Sequence, residues 1–224
     1  MKKILFALLF VVSIAVLLPV TANAAKIKKV VTNPETAKIY VDGNYVGDGV
    51  YSLKFSSRDD FFNIKVESPG YVTKQLKIYK HDTRNVISVD LREDDSLEGS
   101  VASNLANKYF TINVREGVDE DLAWKLLTQV LLNYFNELKT SDKSSGYMNT
   151  PWVVQTFPMA EVKVRTMVQV KQITGGDGLQ YQVRISSEMS PMDSFGTQGF
   201  KPWARVLKQF ESLINEMQSR IGDN

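Results

Sequence analysis

The chain has 224 residues, of which 43% are hydrophobic and 23% charged, with 27 basic and 25 acidic side chains and no cysteine. That length buries a core without covalent staples, and the composition is that of a globular protein. The missing cysteine excludes disulfides and thiolate metal sites, and the near-balanced charge excludes a basic nucleic-acid binder.

Lys2 and Lys3 open the chain. An apolar run from Ile4 to Val20 follows, interrupted only by Ser13, and then Thr21-Ala22-Asn23-Ala24-Ala25. These three regions have the form of a secretory signal peptide, with small side chains at Ala22 and Ala24 placing cleavage between Ala24 and Ala25. The alternative is an uncleaved membrane anchor. Against it, the run is at the short end for spanning about 30 Å of hydrocarbon, and Pro19 breaks a helix where cleavage needs extended chain. Removing Lys2 and Lys3 leaves 25 basic against 25 acidic residues, a neutral mature chain. With no cysteine at the cleavage site the chain is not a lipoprotein, and no later apolar run is long enough to span a membrane. The expectation is an exported protein, periplasmic or extracellular.

From Lys28 to Leu91 the pattern alternates with period two, which predicts half-buried antiparallel strands and a small all-β sandwich over 25–92. In "KIYVDG", Ile39 and Val41 share one face and Tyr40 takes the other. "VYSLKF" repeats this with Tyr51, Leu53 and Phe55, and "FNIKVES" with Phe62, Ile64 and Val66. "KQLKIY" places Leu76 and Ile78 together, and "NVISVDL" contributes Val86, Val89 and Leu91. Turn chemistry separates the runs: Asp42-Gly43-Asn44, Gly47-Asp48-Gly49, Ser57-Arg58-Asp59-Asp60 and Pro69-Gly70. "DGNYVGDG" loosely matches a calcium loop, but Val46 stands where a ligand belongs and no glutamate closes it. Asp-Gly between alternating strands instead predicts a hairpin corner with φ > 0 at both positions.

Pro34-Glu35-Thr36-Ala37, the following "KIYVDGNYVG" and the later Gly70-Tyr71 step resemble the PEGA domain family over about residues 30–91. Thr36 replaces the family's glycine, and "DGVYS" stands where Thr-Pro is usual. The resemblance implies a small β-sandwich, a cell-envelope setting and a binding or spacer role without catalysis.

Residues 93–107, acidic and then small and polar, are expected to be a linker. From 108 to 224 the periods mix. "YFTINV" is a strand. "DEDLAWKLLTQVLLNYFNELK" is a helix with Asp119 as N-cap and a stripe of Leu122, Leu126, Val130, Leu131, Tyr134 and Leu138. The loop "TSDKSSGYMNTP" follows. "WVVQTF", "AEVKVRTMVQVKQI" and "LQYQVRISSEM" are strands, the last two joined by a turn at "TGGDG". A final helix is expected over about 202–221, burying Trp203, Val206, Leu207, Phe210, Leu213, Ile214 and Met217. The order β-α-β-β-β-α predicts an α+β domain, helix-grip-like or TATA-binding-protein-like, with two helices on one face of a curved sheet.

No set of residues announces a reaction. Asp59-Asp60, Glu93-Asp94-Asp95 and Asp119-Glu120-Asp121 are neighbours along the chain, which diverge, whereas a glycosidase needs carboxylates converging across a cleft. His81 is the sole histidine and sits in a polar turn, a poor base for a buried triad and too little for zinc. "TGGDGL" lacks the lysine of a phosphate loop. No metal, cofactor or catalytic residue is therefore expected. Tyr147, Trp152 and Trp203 are the candidate contacts for a ligand or partner, stacking on sugar rings or gripping a peptide if exposed; the alternative is that they cap the ends of the sheet core. The expected function is non-enzymatic binding of an envelope protein or glycan. The alternatives are a carrier holding a small apolar ligand between the long helix and the sheet, and a carboxylate-dependent envelope hydrolase. Nothing in the sequence sets an oligomeric state.

Overall fold

The structure, a computed structural model, describes residues 26–173 and 178–223. The leader and the cleavage step expected at Ala24 and Ala25 fall outside the described residues, as do residues 174–177 of the "TGGDG" turn. The protein is mostly β-sheet with few helices. No helix among the described residues is long and apolar enough to cross a membrane. The chain divides into two compact units. One runs to Ser68 and resumes over Thr73–Leu91; the other holds Pro69–Val72 and everything from Arg92.

The first unit has seven strands: β1 (Lys26–Asn33), β2 (Lys38–Val41), β3 (Asn44–Asp48), β4 (Val50–Phe55), β5 (Phe61–Glu67), β6 (Lys74–Tyr79) and β7 (Val86–Asp90). They form a three-stranded sheet in the order β4-β1-β7 and a four-stranded sheet in the order β3-β2-β5-β6. Alternation sends Val30, Leu53, Phe55, Ile87 and Val89 of the first sheet and Ile39, Ile64, Val66 and Ile78 of the second into the interior, each no more than 2% exposed. Phe55 and Phe62, one from each sheet, meet at 4.8 Å between ring centroids. In β7 the alternation is Ile87, Val89 and Leu91; Val86, expected inside, is 56% exposed. A period of two cannot hold Val86 and Val89 on one face.

Two features were hidden from the alternation. β1 runs parallel to β7 in the middle of its sheet, and its Lys28 is fully buried. The Lys28 ammonium donates to the carbonyls of Asp82 and Arg84 at 2.6 and 2.7 Å. Burial, with Lys26 nearby, lowers the Lys28 pKa. The corner between β2 and β3 has φ of 48° at Asp42 and 86° at Gly43, the double positive pair of a two-residue hairpin. Asp42 Oδ1 accepts from the Asn63 backbone and side-chain amides, so this carboxylate closes a hairpin.

In the second unit the expected linker is ordered. Helix α1 (Asp95–Glu98) is capped by the Asp94 side chain, which accepts from Ser96 N. β8 (Ser100–Ala102) pairs with β16 (Arg205–Leu207). Arg205 fixes the pair through Ser100 Oγ and the carbonyls of Leu97 and Ser100. The expected helix over 202–221 is therefore a strand, a 3₁₀ turn (Lys208–Phe210) and a shorter helix, α3 (Leu213–Ile221). The apolar spacing there fits either state, and pairing with a strand a hundred residues away decides between them.

The main sheet has seven strands: β9 (Tyr109–Asn113), β10 (Thr140–Asp142), β11 (Tyr147–Asn149), β12 (Val153–Phe157), β13 (Val162–Ile173), β14 (Gln180–Pro191) and β15 (Lys201–Pro202). β13 and β14 pair over all twelve residues of each. The simple β-α-β-β-β-α order is thus corrected by the additional short strands. Helix α2 (Glu120–Tyr134) begins where expected, with the Asp119 side chain accepting from Leu122 N at 2.8 Å. Its buried stripe is Ala123, Leu127, Val130 and Leu131, one residue later than expected at its start, and Leu122 is 42% exposed. Residues 123, 127, 130 and 131 satisfy the same three-to-four spacing, so periodicity alone does not choose. Helices α2 and α3 and one face of β13 and β14 form a single core with Val164, Val168, Val170, Tyr181, Val183 and Phe210.

Candidate functional site

In the first unit, the strand alternation that buries Ile39, Ile64, Val66 and Ile78 turns Tyr40, Phe61, Asn63, Lys65, Gln75, Lys77 and Tyr79 to the outer face of the four-stranded sheet. The register sets them in rows: Tyr40 opposite Lys65, Lys65 opposite Gln75, Asn63 opposite Lys77, and Phe61 opposite Tyr79. Two aromatic ridges result. At one end Tyr40 and Tyr45 meet edge to face at 5.7 Å, with Lys65 Nζ 4.0 Å from the Tyr40 ring. At the other, Phe61 and Tyr79 meet at 5.7 Å and Tyr79 continues to His81 at 5.3 Å. Tyr45, Phe61 and Tyr79 are 54%, 40% and 42% exposed. Phe61 and Lys65 are four residues apart on β5, so the ridges stand about 13 Å apart. Between them lies an open groove of about 540 Å³ lined by Gly43, Asn63, Ile64, Lys65, Gln75, Leu76 and Lys77.

The two ridges differ electrically. Lys65 pairs with Glu67 at 2.9 Å, and hydrogen bonds from Lys65 and then Tyr40 hold the Glu67 carboxyl below its ordinary pKa. The same bond to Glu67 raises the Tyr40 phenol. Tyr45 donates to Asp48 at 3.1 Å, which raises the Tyr45 phenol in turn. Lys77 lies 4.6 Å from the Phe61 ring and has no ion-pair partner among the described residues. The groove is thus floored by an amide-bearing row and one uncompensated cation.

The three aromatic residues singled out in the sequence occupy different places in the second unit. Tyr147 is on β11 rather than in a loop, and its hydroxyl accepts from Gln169 Nε2 at 3.1 Å. Trp152 stacks on the Arg165 guanidinium at 4.3 Å, and Phe200 takes the other contact at 4.1 Å. Arg165 is tied to Glu188 across the strand pair through Nε and a terminal nitrogen, at 2.7 and 2.6 Å. Trp203 packs against the core; its N–H donates to the Ser187 carbonyl and its carbonyl accepts from Asn107 Nδ2. Tyr147 and Trp152 therefore share the outer sheet face and Trp203 does not. The first unit's groove went unnoticed in the sequence. The usable signal was the polar half of the alternation, where Phe61 and Tyr79 take outward positions beside lysines.

Asp59, Asp94 and Asp95 have structural employment. Asp59 accepts from Ser56 N, and hydrogen bonds from Ser56 lower its pKa. Asp94 caps α1, and Asp95 accepts from the amides of Met159 and Ala160. Glu93, Asp94, Asp95 and Glu98 line an open cleft of about 270 Å³ with Tyr71 and Met159, but all four come from one short stretch. Among the described residues no three histidines or carboxylates gather as a metal site would need. His81 is exposed in its turn. Between α2 and the sheet, where a carrier would hold its ligand, Leu127, Val130, Leu131 and Phe135 join a continuous core.

The chain matches no family model, and no curated protein matches it. Among solved structures it is similar to a protein of unknown function from Bacteroides fragilis NCTC 9343, described as membrane-associated. The identity is 10%, with 79% of this chain and 97% of that one covered, and the TM-score is 0.24. At that score the likeness carries no argument about fold or function.

Proposed function

We propose that the protein is an exported, non-enzymatic binding protein of the cell envelope, in which a PEGA-like β-sandwich is followed by an α+β domain. The observation that carries this reading is the groove between the Tyr40–Tyr45 and Phe61–Tyr79 ridges. A spacer module has no use for three large aromatic side chains left 40–54% exposed on one sheet face. The flanking aromatic ridges offer apolar stacking area, and Asn63, Gln75 and Lys77 offer hydrogen bonds, the combination by which shallow grooves hold sugar rings or extended peptides. Support for the non-catalytic part comes from Asp42, Asp59, Asp94 and Asp119, which serve as caps and turn closures. The envelope setting rests on the leader and on the PEGA resemblance.

The test is equilibrium pull-down and co-sedimentation with envelope extract and insoluble envelope glycan, using the chain freed of its leader and its Phe61→Ala/Tyr79→Ala double variant. The wild type is expected to retain an envelope protein or glycan and the double variant to lose at least tenfold in affinity. Recovery of no component by the wild type, or equal recovery by both, would end the reading.

A further inference from the structure

β6 is the outermost strand of its sheet, bonded on one side to β5. Lys80 N donates to the Asp60 carbonyl. Alternation from that bond carries the pairing with β5 through Ile78, Leu76 and Lys74. The amides and carbonyls of Gln75 and Lys77 therefore point away from the sheet. The Tyr79 carbonyl, on the same side, is taken by Asp82 N at 3.2 Å, but among the described residues no backbone group takes those of Gln75 or Lys77. Both residues are exposed. In the second unit the outer edge of β9 is met by the chain itself. There Arg115 N donates to the Ile221 carbonyl and Asp223 N to the Asn113 carbonyl.

Two further features mark the β6 edge. It borders the groove, which Gln75, Leu76 and Lys77 line, and the exposed Tyr79 of the aromatic ridge stands on the same strand. It is also positive. The run from Lys74 to Lys80 holds three lysines and no acid, and among the described residues neither Lys74 nor Lys77 has an ion-pair partner. Asp82, the next acid along the chain, is held by Arg84, and Glu67, the acid of β5, by Lys65.

On the reading of the groove as a binding site, we propose that β6 takes an acidic, extended segment of another protein as a fifth, antiparallel strand. Every pair in this sheet is already antiparallel. An extended backbone supplies an N–H and a C=O at every second residue, the partners that Gln75 and Lys77 lack; a sugar ring has no such repeat. The segment's residues opposite Gln75, Lys77 and Tyr79 share the outer face, where a carboxylate meets Lys77. Its intervening residues cover the half-buried Leu76. The lysines disfavour β6 of a second copy as the occupant. Pairing about Lys77 would set Lys77 against Lys77 and Lys74 against Lys80, the repulsion by which sheet edges refuse their own copies.

The experiment is an NMR titration of the chain freed of its leader with a blocked, alternating Val-Glu peptide long enough to span β6. Its comparisons are the same peptide N-methylated at every Glu, the same peptide N-methylated at every Val, an alternating Val-Lys peptide, and chitohexaose. The Val-Glu peptide is expected to bind, more weakly as salt rises, and to protect the Gln75 and Lys77 amides from hydrogen exchange. In the added strand the Glu amides face β6 and the Val amides face away. Methylation at Glu should therefore weaken binding by about tenfold or more, and methylation at Val should leave it largely intact. Lys77→Glu should lose the Val-Glu peptide and gain the Val-Lys peptide. Lys77→Pro removes an outward N–H and no bond to β5, and should also lose binding; should it melt early, the methylated peptides read the same bonds from the other side. No binding of the Val-Glu peptide, unprotected amides at Gln75 and Lys77, equal effects of the two methylations, or tighter binding of chitohexaose at this edge would each overturn the added strand. An envelope component retained by the wild type and by Lys77→Pro, but lost by Phe61→Ala/Tyr79→Ala, would remove the added strand and keep the groove.

Discussion

The two units solve the same problem, a sheet with one face inside and one outside, and distribute their polar groups differently. In the first, the interior holds a full charge, Lys28, satisfied by two carbonyls, and the outer face carries two aromatic ridges with a lysine beside each. In the second, the interior keeps the hydroxyls of Thr128, Thr166, Tyr181 and Ser187 without partners, while on the outer face Arg165 is matched by Glu188 and stacked on Trp152 and Phe200. Burial therefore does not foretell satisfaction. A buried lysine is well placed where the chain offers carbonyls, and a buried tyrosine is poorly placed where it offers none.

The comparison breaks most visibly at Lys28. Lys28→Met keeps volume but strips the donor from the part-buried carbonyls of Asp82 and Arg84, and should destabilise the first unit by about 1–3 kcal/mol. In chemical denaturation only that unit's transition should move; an unchanged midpoint would mean the ammonium contributes nothing net. Next is Arg165→Ala, which removes the fork to Glu188 and the stacking between Trp152 and Phe200. It should cost the second unit about 2 kcal/mol, and Arg165→Lys should recover less than half, because an ammonium cannot form the planar double contact. Thermal melts of both variants give the ratio.

Gly49→Ala tests the tight turn after β3. Gly49 has φ of +70°, and a Cβ there would overlap the Glu35 carbonyl oxygen. A loss of about 1–3 kcal/mol follows, again confined to the first unit. The smallest effect belongs to Tyr181→Phe, which deletes an unpartnered hydroxyl and should be neutral or slightly stabilising near pH 7. Its signature is at high pH. Burial, with Glu120 nearby, pushes the Tyr181 phenol up to about 12. A group whose pKa is raised on folding contributes stability fully present below the unfolded value near 10 and lost as pH rises through the folded value. Wild-type stability should therefore fall between about pH 10 and 12, and Tyr181→Phe should blunt that fall.

Much of the first unit was legible because alternation is a local code. Ile39, Leu53, Phe55, Ile64, Val66 and Ile78 point inward as their spacing requires. What defeated the code was β1, whose pattern places a lysine among its inward positions; its burial depends on carbonyls more than fifty residues away. The second unit yielded its long strands and the start of α2, where Asp119 caps. It withheld the ordered 95–102 segment and the strand at Arg205–Leu207, because each exists only through the other. The site suffered for a related reason. Tyr147 and Trp152 stood out as large aromatic residues in an apparent loop. Phe61, Asn63, Lys77 and Tyr79 look like ordinary outward-facing residues until the register aligns them.

The chain changes units at Ser68–Pro69, at Val72–Thr73 and again at Leu91–Arg92. The excursion Pro69–Val72 belongs to the second unit because Val72 N bonds the Arg92 carbonyl and Asp94 N bonds the Gly70 carbonyl. A gene cut at residue 91 therefore does not give two whole proteins. The downstream fragment starts without the segment that pairs with its first residues, and the upstream fragment keeps that segment with nothing to hold it. For anyone dissecting the molecule, the useful unit of expression is the uncut chain.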